Sequence, residues 1–392
     1  MPQPLRAYLE AQADRVEMIL SSHKAPGRVT GGTVGPRLVR FFLDPAADVR
    51  YEKIRRLADD LALALHVNLL TVDRSEKGVV LEFENPNPRP VSLLNLLPQV
   101  VKDEHGAPDP LPNTTALLGL TDDGLPLLAR LASEQVAHLL IVGMTGSGKS
   151  VLLRTIALSL LLTHTPNKLR MILLDPKGKT FEPFAGAPQL LRSPVTEAPE
   201  ALETFRSLQH LIVARDRHGE SSPCVTVLID ELGELLFSGG DQIAEGLTRL
   251  VQRGREVGIH LVAATQRPSS AIMTDLMKVN FPLRLVGKVV SANDARLATG
   301  RGGTDAHLLQ GRGDFLAIGG GEGDPLRFQA AYVGEREIAS ALAKYQREPH
   351  AYSPSMSKAE YEARQQKKSP ATQPQSQPEP LMNVTGTQQL RR

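Results

Sequence analysis

Residues 143–150 read GMTGSGKS and fit the pattern G-x-x-x-x-G-K-[ST] at every fixed position. Glycines at this spacing let successive backbone N–H groups converge on a phosphate, and a following helix adds the positive end of its dipole. The expected cradle is Gly143, Met144, Thr145, Gly146, Ser147, Gly148, Lys149, Ser150 and Val151. Within it Lys149 pairs with the β- and γ-phosphates of ATP, and Ser150 ligates Mg2+. The bland alternative is a glycine turn between a strand and a helix. A second group lies in VTVLIDELGEL, residues 225–235, where an apolar run ends in Asp230 and Glu231. Asp230 is the expected metal-side carboxylate, and Glu231 the base that polarises water; an acidic helix start, favoured by the dipole, is the alternative. The third is GIHLVAATQRP, residues 258–268. Gln266 closes that run and places an amide beside the γ-phosphate if the strand neighbours the acidic one.

These residues need a scaffold of strand ends. Short apolar runs at 138–143, 170–175, 225–230, 259–265 and 282–287 suit strands buried on both faces of a parallel sheet, with amphipathic stretches between them. That is an α/β fold of the P-loop type. FSGGDQ, residues 237–242, resembles an ABC-transporter signature, but it follows the acidic strand instead of preceding it. It reads as a loop over residues 238–240, with Asp241 capping the next helix. The first 110 residues read as a small α+β unit: a helix over 5–20, a strand at 37–45, an amphipathic helix over 51–65 and strands at 67–73 and 78–84. NPNPRP (85–90) ends that run, and APDPLPN (107–113) is the expected linker. Residues 111–349 form the expected motor domain. From 350 to 392 apolar periodicity is lost, and a polar, proline- and glutamine-rich tail is expected to be disordered.

Composition narrows the classes. The chain has 392 residues, 41% hydrophobic and 22% charged, which suits a multidomain globular protein. One cysteine, Cys224, excludes an internal disulfide framework and a multi-cysteine zinc site. Aromatics are 4% with no tryptophan, which disfavours base-stacking platforms. Neither a signal peptide nor a membrane span is expected, so the expected location is cytoplasmic. The net charge of +2 is weak, yet residues 249–312 hold ten basic and four acidic side chains, so the remainder is net acidic. Such a strip suits phosphate contacts without base readout; solvated arginines on helix faces are the alternative.

Taken together, GMTGSGKS, LLDPKG (173–178), LIDELGELL (228–236), RGREVGIHLVAATQRPS (253–269) and GRGDFL (311–316) resemble the motor of FtsK/SpoIIIE-type DNA translocases. The resemblance covers about residues 5–345, including an N-terminal pattern similar to the family's alpha domain. It implies a RecA-like ATPase that pumps double-stranded DNA through a homohexameric ring. It also implies Gln266 as sensor and Arg255 as an arginine finger reaching a neighbouring subunit, with Arg253 as the fallback. Arg267, Lys278 and Arg296 take the positions of DNA-phosphate contacts. Membrane spans and a winged-helix domain like the family's are not expected here, Ala292 stands where a lysine is common, and the stretch 301–314 is longer than usual. A mobile-element, phage or conjugative motor with a separate membrane or relaxase partner is therefore expected. A protein-secretion ATPase and an ATP-switched DNA-binding factor stay open as alternatives.

Overall fold

The computed structural model describes residues 3–68, 70–75, 78–101, 111–112, 114–266, 280–320 and 323–347. The tail from 350, most of the expected linker, and both Arg267 and Lys278 lie outside the described residues. The chain separates into two compact units with the seam between Pro90 and Val91. The seam precedes residue 110 because Val91, Leu93, Leu96 and Leu97 are buried in the core of the second unit. The last three belong to a short helix, α4 (Leu93–Val100).

In the first unit the expected helix is α1 (Gln3–Ser22), which buries Leu9, Ala13, Val16 and Leu20 at helical spacing. Four antiparallel strands, β1 (Gly27–Val34), β2 (Leu38–Pro45), β3 (Leu70–Ser75) and β4 (Gly78–Glu84), line up in the order β1-β2-β4-β3. The amphipathic stretch 51–65 is two helices, α2 (Tyr51–Arg55) and α3 (Ala58–Leu65), interrupted at Arg56 and Leu57. Ile54, Leu57, Leu61 and Leu65 still reach one core, where Phe41 and Phe83 meet edge to face.

Among the described residues, the second unit is built on nine strands in the order β6-β5-β13-β12-β11-β7-β10-β9-β8. All five expected strands are present: β7 (Leu139–Val142), β8 (Leu169–Leu174), β9 (Cys224–Ile229), β10 (Ile259–Thr265) and β11 (Leu283–Gly287), mutually parallel. The expected parallel sheet is only this part of a mixed one. β12 (Asp314–Ile318), β13 (Leu326–Ala330), β5 (Thr115–Thr121) and β6 (Pro126–Arg130) extend it antiparallel beyond β11. Helices cover both faces. α5 (Lys149–Thr163), α4 and α9 (Glu335–Arg347) contribute to one core. α6 (Ala198–His218), α7 (Leu232–Arg253) and α8 (Ala292–Thr299) contribute to the other. α5 is buried on nearly all sides, which is why its apolar residues are not confined to one stripe. α7 is broken at Gly240, whose backbone is non-helical (φ 57°, ψ −153°), so two helical pieces meet there and the second runs from Asp241 as expected, while the expected loop over 238–240 narrows to that glycine.

Candidate functional site

Three neighbouring parallel strands, β7, β10 and β9, deliver the candidate residues to one edge of the sheet, outside the strands' carboxyl ends. The glycine-rich loop leaves β7 and enters α5 at Gly148, whose φ is 104° and which offers no side-chain cap. A Cβ there would stand 2.7 Å from the Gly313 nitrogen, so glycine is what lets the two loops approach. The uncapped first turn of α5 leaves backbone donors for an anion. Lys149 is buried and folds back over the loop, its Nζ donating to the Met144 carbonyl at 3.1 Å. Burial holds its pKa below the ordinary lysine value and the Lys177 cation adds to this, while Glu231 and Asp230 act in the opposite direction. A polyphosphate would add negative charge beside this desolvated ammonium. Ser147 Oγ is buried with no hydrogen-bond partner among the described residues and packs close to Gly143, where a Cβ would stand 2.6 Å from it.

Asp230, just past β9, is buried and its Oδ2 accepts from the Ser150 hydroxyl at 3.3 Å and from Thr180 Oγ1 at 2.5 Å. The pair expected to hold Mg2+ therefore already faces itself. Among the described residues no group of three or more His, Cys, Asp or Glu could enclose a metal. A cation held by Ser150 and Asp230 would complete its shell from phosphate and water oxygens, as Mg2+ commonly does. The residues fit that ion.

Glu231 takes a left-handed backbone (φ 67°, ψ 68°), which costs a non-glycine residue about 1–2 kcal/mol. The turn carries its carboxylate to the end of β10, where Oε1 accepts the Gln266 backbone N–H at 3.1 Å. Gln266 Oε1 in turn accepts the Thr145 hydroxyl at 2.9 Å. The acidic pair, the amide and the phosphate loop thus form one hydrogen-bonded chain across three strands.

The sequence did not reveal two supports. The GRGD residues form one: the Arg312 N–H donates to the Gly146 carbonyl at 2.9 Å, and the Gly313 N–H to the Ser147 carbonyl at 2.7 Å. Asp314 locks that loop through Arg327 at 2.9 and 2.8 Å. The loop after β8, which begins with the DPKG residues, reaches both members of the acidic pair, through Thr180 and through Lys177.

Arg255 is not gathered into this site. It lies in a 3-10 turn (Arg255–Val257) before β10 and pairs with Glu134 at 2.9 Å. Seven residues of β10 at about 3.3 Å each put it roughly 20 Å from the Gln266 end. Arg253 closes α7 and pairs with Asp216 at 2.6 Å, so the two arginines are not in one helix. Arg296 is exposed on α8. The basic strip is partly neutralised from outside its window, since Arg249 also pairs with Glu245 at 2.5 Å.

Comparison with known proteins follows the same division. Residues 109–209 and 203–270 match the model of the FtsK/SpoIIIE family, and residues 3–87 match the FtsK alpha domain. The DNA translocase SftA of Bacillus subtilis is 31% identical over 356 residues, 85% of this chain and 36% of its own length. The chain spans a third to a half of the length of the curated relatives it matches. Among solved structures, the pCW3 conjugation coupling protein TcpA, in a monomer form with ATPγS, superposes with a TM-score of 0.56 at 20% identity, covering 86% of this chain and 99% of that one. The cytoplasmic domain of the type VII secretion ATPase EccC of Thermomonospora curvata gives 0.55 at 26% identity, covering 65% of this chain and 34% of that one. No described helix is long and apolar enough to cross a membrane. With both models matched in order along the chain, and the loop, acidic pair and amide assembled on adjacent strands, the chain belongs to the FtsK/SpoIIIE family.

Proposed function

We propose that this chain is an ATPase that moves double-stranded DNA. The observation that carries the reading is the hydrogen-bonded chain from the phosphate loop through Thr145 and Gln266 to Glu231, with Ser150 and Asp230 face to face beside it. In this reading Lys149 and the loop amides hold the β- and γ-phosphates, and Ser150 and Asp230 would hold Mg2+, which when bound would offset charge on the phosphate oxygens. Glu231 accepts a proton from water as its oxygen bonds to the γ-phosphorus. The bond from that phosphorus to the β–γ bridging oxygen breaks, and ADP and phosphate leave. Gln266 senses the γ-phosphate.

Arg255 cannot reach its own chain's loop, so an arginine at the transferring phosphoryl group would come from a second copy. That requirement favours a closed homo-oligomer, a hexameric ring in this family reading. The residue after Gln266 is Arg267, so a DNA-touching segment would begin one peptide bond from the sensor; Lys278 and Arg296 would add phosphate contacts without sequence readout. The motor would act in the cytoplasm, on mobile-element, phage or conjugative DNA, with a separate membrane or relaxase partner. Likeness to a secretion ATPase favours polypeptide cargo as a second reading. The match of residues 3–87 to the FtsK alpha domain supports DNA.

The test is ATP turnover by the purified chain with and without linear duplex, together with its mass in solution. Duplex should raise turnover several-fold in an oligomer, and Lys149→Ala should lower it about 100-fold or more. A monomer whose turnover ignores duplex would overturn the reading.

A further inference from the structure

The loop that follows β8 is fixed from within and from below. Asp175 Oδ1 accepts the Lys177 N–H at 3.2 Å, and its Oδ2 accepts those of Thr180 and Phe181 at 2.7 and 3.1 Å. The Gly178 N–H closes the turn onto the Asp175 carbonyl at 2.9 Å. Arg154 of α5 donates to the carbonyls of Thr180 and Lys179 at 2.9 and 3.0 Å. A backbone restrained at this many points fixes where its side chains start. Two of them meet the acidic pair: Thr180 bonds to Asp230, and Lys177 Nζ stands 3.8 Å from Glu231 Oε2 and 3.5 Å from Glu234 Oε2.

Glu231 gives this contact its meaning. Its backbone is left-handed, so helix periodicity does not direct its carboxylate. One oxygen is held by the Gln266 N–H and the other faces Lys177. We propose that Lys177 is a positioning residue for hydrolysis: from its fixed loop it keeps the Glu231 carboxylate aligned toward the attacking water, while Glu234 keeps the ammonium in place. The cation acts through Glu231 and not on the nucleotide. Half-exposed ion pairs are screened, so the effect is moderate and does not amount to loss of the site.

This inference rests on the reading of the site as an ATPase, and one set of measurements separates the two. ATP turnover and nucleotide affinity are compared for the full chain and its Lys177→Gln and Lys177→Arg variants. Lys177→Gln should lower kcat about tenfold, with KM and the affinity for a fluorescent ATP analogue within about twofold of wild type. Lys177→Arg, which keeps the charge, should recover kcat to within about threefold. A purely structural role would not give this split between kcat and KM, nor rescue by the charge. Unchanged kcat in Lys177→Gln, with a normal wild type, overturns the inference alone. A matching loss of nucleotide affinity would place the ammonium on the phosphate and overturn it as well. A wild-type chain that hydrolyses no ATP sinks the proposed function, and this inference with it.

Discussion

Glu231 combines a strained backbone with a fixed carboxylate, which is how local strain at a working site is tolerated: the surroundings over-determine it. Its Oε1 needs an acceptor's lone pair for the Gln266 N–H, and a glutamine oxygen can provide that equally well. Glu231→Gln should therefore bind nucleotide almost as the wild type does. Without a base its turnover should fall by about 10²–10⁴-fold. Binding by titration beside steady-state hydrolysis checks the split; loss of both together would mean the residue only shapes the loop. At this scale the gathering of Lys149, Ser150, Asp230, Glu231 and Gln266 at one sheet edge was legible, because residue type and local spacing mark them out. The bond of Thr145 to Gln266 and the contacts of Lys177 and Thr180 were not, because the partners lie 121, 54 and 50 residues away in the chain. The backbone contacts of Arg312 and Gly313 were beyond reach for another reason: an N–H carries no residue identity.

Among the elements, the strands buried on both faces announced themselves as apolar runs, and β10 falls on the expected residues. Of the antiparallel strands, β6 and β13 are partly exposed and mixed in character, so they carry no unbroken apolar signal. The sheet's other edge adds a pH dependence that the motifs did not suggest. His138, just before β7, is buried; its Nδ1 accepts the Leu261 N–H at 3.0 Å and its Nε2–H donates to the Val251 carbonyl at 3.0 Å. Burial, and then the neighbouring His260, push its pKa down to about 4. The unfolded chain takes up a proton near pH 6.5 and the folded one does not, so stability present above 6.5 is lost as pH falls toward 4. The depression corresponds to about 3 kcal/mol across that window. Urea unfolding at pH 7.5 and 4.5 should show a smaller loss for His138→Gln, whose amide can serve both backbone groups. Equal losses in the two proteins would remove His138 from the account.

At the scale of the whole molecule, the two-unit organisation was legible from proline-rich breaks, yet the seam falls at Pro90 because α4 is apolar enough to join the second core. Proline content marks where a chain can turn and says nothing about which core a following helix will enter. The separation between Arg255 and the phosphate loop is likewise a property of the complete sheet, since parallel strands send their beginnings and ends to opposite edges. If the proposed ring is right, each working site draws its loop from one copy and its arginine from the next, and two inactive chains can repair one another. Lys149→Ala and Arg255→Ala should each lose at least about 100-fold in turnover alone. In a mixed ring, however, an Arg255→Ala copy still has an intact loop, and a neighbouring Lys149→Ala copy can supply its intact arginine to that loop. Equimolar mixing and reassembly should therefore recover turnover that neither parent shows, rising and falling with the mixing ratio. Should no ratio recover activity although mixed oligomers form, Arg255 does not act between copies, and the ring would need a different arginine at its boundary.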